Sequence, residues 1–560
     1  MIGAGSEVRS GGARRRARAP SGYVALVLHA HLPYVRHLEH ERSLEERWLF
    51  EATWESYLPL VGALDRLADE GIVAPISISV SPPLAAMLRD PALRGRYRDH
   101  VRRTRAVAER ALGRARGGAL AAAIAHHVEL LDRAEGTFER HGGDVLGALV
   151  GHHREGRICL FTTAATHGFL PGLLSSSRGW ARAQVEIGRR AFEAMTGVGS
   201  RGLWLPECAF APPLDAVLSE AGVAWSVLDA HGIALAEPRP DVATLGRGSE
   251  ALVVPTAPLR SASGVTYLGR DLWAGRSVWA MNGYPSHPVY RELHRDLGFD
   301  LPEEELLGEV GPNGARVATG VKPYRITGAA EKAPYDPVAA RAQAAADAAA
   351  FVEDRARLFA ALPRRGAPPV SVAPFDAELF GHFWHEGPLF LEEVLRRLAR
   401  TAEEGGPAAI GLSEYIESFP AQARGAPAAS TWGEGGFGAT WTGPRTAALW
   451  RHVHHASADV MTAVQAARDA TGPRGEALDQ AIVEALLLQS SDFAFMIHQG
   501  TTVEYALRRT AEHAANAARL ASLARSGEIG PEQEVWIRSV RDRAPLFLEL
   551  PSRALRAALP

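Results

Sequence analysis

The sequence is poor in cysteine, in lysine and in long apolar runs, and each scarcity excludes something. Two cysteines in 560 residues, Cys159 and Cys208, give neither a disulfide framework nor a CxxC-type zinc site, and suit a reducing cytoplasm. The longest apolar runs, such as residues 23–28, fall far short of the roughly 20 residues that cross a bilayer. The net charge is −3, so no basic face recommends nucleic acid as the main partner. Nearly all basic residues are arginine, a bias of the coding sequence from which no mechanism follows. P-loop and GxGxxG fingerprints are missing, and WGEGGFG (432–438) does not follow a strand. The N-terminal segment carries Arg14, Arg15, Arg16 and Arg18, but no apolar region or small-residue cleavage site follows, so 1–20 is read as a disordered basic tail.

What is present is a globular composition, 46% hydrophobic and 22% charged, in a chain long enough for more than one domain. Short apolar runs recur between residues 21 and 395: YVALVLHAHLP from Tyr23, IVAPISISVSPPL from Ile72, RICLFTTAATH from Arg157, GLWLPE from Gly202, VAWSVLDAHG from Val223, ALVVPTAP from Ala251 and VSVAPFDAE from Val370. Helical patterns lie between many of them, including 109–139 and 180–194. Apolar strands alternating with helices imply parallel strands joined by crossovers, hence an α/β fold. Chemistry on such sheets sits where the strands end. Here those ends carry His29, His31, Thr163, His167, Glu207, Asp229, His231, Asp376 and Glu378. Residues 235–335, rich in Gly, Pro and Arg, read as an insertion over the site. From 396 to 560 the pattern becomes helical, over 445–471, 477–488, 502–525 and 531–541, and reads as a second, all-α domain.

Two carboxylates share one local grammar. Glu207 follows an apolar run and Pro206; Asp376 follows Pro374 and Phe375, with Glu378 two residues on. Each could be satisfied by backbone N–H groups or by an ion pair. Together, at strand ends from distant parts of the chain, they suit glycoside cleavage, in which one carboxylate attacks the anomeric carbon and the other protonates the leaving oxygen; a retaining pair stands about 5–5.5 Å apart. His29 and His31, two apart, reach one site from a strand. They suit sugar hydroxyls or, with His167, Asp229 or His231 as a third ligand, a metal; sugar contact is the favoured reading. Trp204, Trp279, Phe383, Trp384, Trp432 and Trp441 are frequent near these motifs, and flat rings suit sugar faces; core packing is the ordinary alternative. Trp432, in a polar glycine-rich stretch, is the best cleft candidate. Asp492 in SSDFAF reads as a helix cap, a buried pair or a site residue.

These motifs together resemble glycoside hydrolase family 57, and within it the 1,4-alpha-glucan branching enzymes with a helical C-terminal domain. The resemblance runs from about 22 to 520, through LHAHLPYVRH (28–37), TTAATHGFLP (162–171), GLWLPECAF (202–210), GRDLWAGRSVW (269–279), YRITG (324–328), PFDAELFGHFWHEGP (374–388), WGEGGF (432–437) and QSSDFAFMIHQGTTVEYA (489–506). It implies a (β/α)7 barrel, a distorted TIM-like barrel with insertions, followed by the helical domain. It implies a retaining mechanism with Glu207 as nucleophile and Asp376 as acid/base. It also implies glucan contacts at Arg270, Trp432 and Asp492 and, where the family has a glycine in a YPG turn, at Ser286. His29, His31, His167 and Trp384 complete the expected substrate-binding set. The implied partner is an α-1,4-glucan in the cytoplasm; no metal or organic cofactor, nucleic acid or membrane is implied.

The sequence departs from the pattern in two places. A tyrosine-bearing loop that covers the site and favours transfer in the family is replaced by PRPDVATLGRGSEALVVPTAP (238–258), which has no tyrosine. Cys159 stands where the family commonly has Glu. The loop keeps an α-glucan hydrolase or 4-α-glucanotransferase as the alternative to a branching enzyme. Intact Glu207 and Asp376 argue against a glucan-binding protein without catalysis. Asp376 is expected to hold its proton more tightly than Glu207, because the first step needs it protonated.

Overall fold

The computed structural model describes residues 18–559 except 116, 241, 246–251, 312–313, 364–365 and 421. Most of the basic tail and the centre of the 238–258 loop therefore lie outside the described residues. Seven strands form the frame: β1 (Gly22–Ala30), β2 (Ile76–Val80), β3 (Ile158–Thr163), β4 (Gly202–Trp204), β5 (Trp225–Leu228), β6 (Thr266–Gly269) and β7 (Val370–Asp376). They pair in parallel in the order β7-β1-β2-β3-β4-β5-β6. The last seam closes through a parallel bridge between Arg270 and Val372, where the Asp271 N–H donates to the Val372 carbonyl at 2.7 Å. The curled sheet is the expected (β/α)7 barrel.

The strands are apolar throughout because both faces are covered. Ala25, Val27, Phe161, Trp204, Trp225, Val227, Leu268, Val370 and Val372 point inward into one cluster; Val24, Leu26 and Leu28 point outward against helices. With a period of two, this parity sends His29 and Asp376 inward at the carboxyl end, and the β1–β7 register sets them side by side. The opposite end is plugged by Ile410, Leu412 and Tyr415. The strand Pro407–Ala409 pairs with the start of β1, so residues past 395 still belong to the barrel.

Two expectations are corrected. The run ALVVPTAP is not a barrel strand: Leu252–Val254 pairs antiparallel with Ala243–Leu245 in a separate hairpin, and the sixth barrel strand is Thr266–Gly269, inside the segment read as insertion. The pattern over 109–139 is two helices, Pro91–Ala115 and Gly118–Arg140. Between them Gly117 and Gly118 have φ of 95° and 83°, a backbone that other residues rarely adopt and that ends a helix.

Beyond the barrel, α1 (Ala447–Ala467), α2 (Gly472–Leu488) and α4 (Val503–Arg525) pack through Val460, Leu478, Ile482, Ala517 and Leu520. The short α3 (Ser491–Gln499) lies against the barrel mouth. It is fastened by a bridge between Ser490 and Gly168 and by the Ser491 N–H donating to the His167 carbonyl at 3.0 Å. Below it, Gln184 donates to Gln489 and Gln489 to Ser457, a buried amide chain that joins barrel to helices.

Candidate active site

After β4 the chain turns sharply through Pro206–Cys208. Glu207 and Cys208 have φ of 64° and 49°, positions that cost about 1–3 kcal/mol each for residues with a side chain and persist only where neighbours enforce them. The enforcement is visible. Phe210 and Ser430 exchange backbone hydrogen bonds, and the Trp432 N–H donates to the Glu207 carbonyl at 3.0 Å. The turn lifts the Glu207 carboxylate into the mouth. There Oε1 accepts from the Ser491 hydroxyl and Oε2 from Trp432 Nε1, each at 2.7 Å. Burial pushes its pKa up to about 7, opposed by those two donors and reinforced by the charges of Asp492 and Asp376. Ser491→Ala removes a donor that favours the ionised form, so the proton is held more tightly. Because attack needs the carboxylate, the acidic limb of the pH–rate profile should move to higher pH by roughly half to one unit; an unmoved limb would show that the bond does not set the ionisation of Glu207.

Asp376 ends β7, on the far side of the barrel from β4. Among the described residues no hydrogen bond ends on its carboxylate. Burial, then the charge of Glu378, raises its pKa to about 7, while His31 and Arg270 pull the other way. Both candidate carboxylates thus reach about 7, and Asp376 climbs from the lower starting value. Hydrogen bonding separates them: donors surround Glu207 and leave Asp376 bare.

Between them runs a histidine row. His31 Nε2 meets Asp492 Oδ2 at 3.0 Å and its Nδ1 meets Ser81 Oγ at 2.8 Å. His167 Nδ1 meets Ser491 Oγ at 2.8 Å, and its Nε2 meets His29 Nε2 at 2.9 Å. The charge of His31 holds the Asp492 carboxyl far below the usual range against the cost of burial. His31, His167 and Asp492 have ligand-type atoms within 4.8 Å of one another. Each facing atom is already engaged within the protein, so the cluster is satisfied as a hydrogen-bonded chain. On the other flank, Arg270 donates to Asp229 at 2.8 Å and lies over the Trp432 ring at 5.3 Å. His231 links Asp229 to the Gly436 carbonyl.

The structure thus gathers Glu207, Asp376, Arg270, Trp432, Asp492, His31 and His167 at one mouth. Three expectations differ. His29 is nearly inaccessible, stacked on Trp204 and bonded to His167 and Ser79, so it supports the row from beneath and does not face a sugar. Trp384 is 2% exposed and packs among Tyr290, Phe380 and Phe390, a wall residue with no ring face free for a ligand. Ser286 is exposed and its hydroxyl is already engaged, donating to Gly283 O within its own turn. Trp204 and Trp441 are also buried, whereas Trp279 and Phe383 are exposed. Sequence reasoning missed Ser491, Ser81 and Tyr57. Ser491 stands beside Asp492, and that adjacency was its one available signal.

Residues 25–270 match the glycosyl hydrolase family 57 profile, and residues 452–554 match that of the 1,4-alpha-glucan branching enzyme C-terminal region. A 1,4-alpha-glucan branching enzyme of Thermococcus kodakarensis is 30% identical over 547 residues, 91% of this chain and 75% of that one. A probable 1,4-alpha-glucan branching enzyme of Mycobacterium tuberculosis is 30% identical over 528 residues, 88% of this chain and 90% of that one. Among solved structures, the alpha-amylase AmyC of Thermotoga maritima superimposes with a TM-score of 0.83 at 30% identity, covering 96% of this chain and 99% of that one. Two matching profiles in the right order, and relatives aligned over most of their length, make this chain a member of glycoside hydrolase family 57, of the kind that carries the branching-enzyme C-terminal region.

Proposed function

We propose that the protein is a retaining 1,4-alpha-glucan branching enzyme. It cleaves α-1,4 linkages and forms α-1,6 linkages in glycogen or a related glucan of the cytoplasm. The observation that carries the reading is the pair of carboxylates at the barrel mouth, near enough for the charge of Asp376 to act on Glu207, with two donors on Glu207 and, among the described residues, none on Asp376. Glu207 attacks the anomeric carbon while Asp376 gives its proton to the departing O4. A covalent glucosyl ester remains. Asp376, now ionised, takes the proton of an incoming 6-hydroxyl, which attacks the anomeric carbon and frees Glu207. Transfer wins over hydrolysis only where an acceptor excludes water. Trp432, Arg270 and Asp492 supply the ring face and polar groups that suit such a cleft.

A second reading, an α-glucan hydrolase, is favoured by one observation: the loop 238–258 has no tyrosine. Similarity to AmyC, an alpha-amylase, is in line with it. Amylose incubated with the protein and then digested by a debranching enzyme tells the two apart. New debranchable chains, missing with Glu207→Gln, support branching. New reducing ends without such chains overturn branching in favour of hydrolysis. No helix among the described residues is long and apolar enough to cross a membrane.

A further inference from the structure

Glu378 is a buried carboxylate, 6% exposed, that the reaction above leaves idle. Its Oε1 accepts from the Tyr57 hydroxyl and from the His31 backbone N–H, the latter at 3.1 Å. Tyr57 closes a π-helical turn, Thr53–Tyr57, set between helices Glu46–Ala52 and Leu58–Asp69. Such wide turns cluster at functional positions. This one is given over to the segment after β7. Ser56 Oγ donates to the Glu378 carbonyl and accepts from the His382 N–H, and Glu55 pairs with His382 and Arg291.

Asp376 and Glu378 flank Ala377 in one tight turn. Burial raises both carboxyls to about 7, and among the charges facing Asp376 that of Glu378 is the largest influence. The others are His31 from the end of β1 and Arg270 from the end of β6, which favour the ion, Asp492 of α3, which opposes it, and Glu207 after β4, whose own proton the charge of Asp376 holds more tightly. Glu378 itself faces Tyr57 and His31. Burial and the charge of Glu378 both disfavour a second negative charge on Asp376, so the state with one proton on the pair is the preferred one. The donors are not shared evenly: Glu378 has two and Asp376 has none among the described residues. We infer that Tyr57 and the His31 amide hold Glu378 as the charged member of a carboxylate pair, which leaves the pair's proton on Asp376, where the acid step uses it. Glu378 and Tyr57 are then positioning residues that act through Asp376.

The inference rests on Asp376 being the acid/base, and the test separates the two. The pH dependence of kcat/KM on amylose is measured for the wild type, Glu378→Gln, Tyr57→Phe and Asp376→Asn, with thermal unfolding to verify folding. Glu378→Gln removes the neighbouring charge, so Asp376 loses its proton more readily and the basic limb moves to lower pH by on the order of one unit. Tyr57→Phe acts differently. It lets the proton settle on Glu378, so the maximum falls roughly three- to tenfold while the basic limb stays or moves to higher pH. A purely structural role gives no such opposed pattern. A basic limb in Glu378→Gln that superimposes on the wild type overturns the inference, whatever the rate; if that variant does not fold, an unchanged maximum in Tyr57→Phe does so. Normal activity in Asp376→Asn sinks the underlying mechanism instead, while an inactive Asp376→Asn beside an unmoved Glu378→Gln limb sinks this inference alone.

Discussion

Glu207→Gln should lower turnover on amylose by on the order of 10⁴-fold or more, because the residue that forms the covalent ester is replaced by an amide that cannot. The exchange is nearly isosteric, and a Gln carbonyl can still accept from Trp432 Nε1. The fold should therefore persist. Burial already raises the proton affinity of Glu207, so removing its charge relieves a desolvation cost, and the melting temperature should hold or rise slightly. Reducing-end and debranchable-chain assays, run beside thermal unfolding, check both halves. Residual activity within tenfold of wild type in a folded variant would remove Glu207 from the reaction.

Asp376→Asn should fall by about 10²–10⁴-fold on amylose, the range in which a positioned acid contributes. The loss should depend on the leaving group. A glucan departs as an alkoxide unless protonated, whereas fluoride departs without a proton. With α-maltotriosyl fluoride the first step should survive in Asp376→Asn, and the covalent ester should accumulate on Glu207, because the acceptor hydroxyl then lacks its base. Mass spectrometry of the quenched protein reads that ester directly. Equal loss with both donors and no ester would mean that Asp376 acts in binding and not as acid/base.

Much of the barrel is legible in the sequence because parallel strands are buried on both faces and so read as uninterrupted apolar runs, as β1 and β7 do. The sixth strand is the exception. TYLG is short, while LVVP, earlier in the same segment, is more apolar, yet the hairpin takes the latter and the barrel the former. Strand pairing was decided by which segment could close the seam against Val372, and no local pattern carries that. The Gly117-Gly118 break was readable and outweighed by the helical pattern around it. In the site, Glu207 and Asp376 are visible because a carboxylate at the end of an apolar run is a local anomaly. Ser491 and Tyr57 are not, since each is an ordinary helix residue whose partner lies 284 or 321 positions away. Trp384 shows the converse limit: composition places an aromatic near the motif, and only packing decides between wall and cleft.

Ser491 and Trp432 lie far downstream of the turn they restrain. When Asp376 leaves the ribosome the seven frame strands have been made, but neither donor to Glu207 has, nor has Asp492, the carboxylate partner of His31. At roughly 5–20 residues per second, several to about twenty seconds pass before Asp492 follows. Ser430 and Trp432 follow about midway, so for the first part of that interval the Glu207 turn lacks the contacts that hold its unfavourable backbone angles, and the Ser491 donor comes last. The nascent chain is thus a barrel without a finished catalyst, and it gains the power to cut glucan only after α3 has been made and has closed on it.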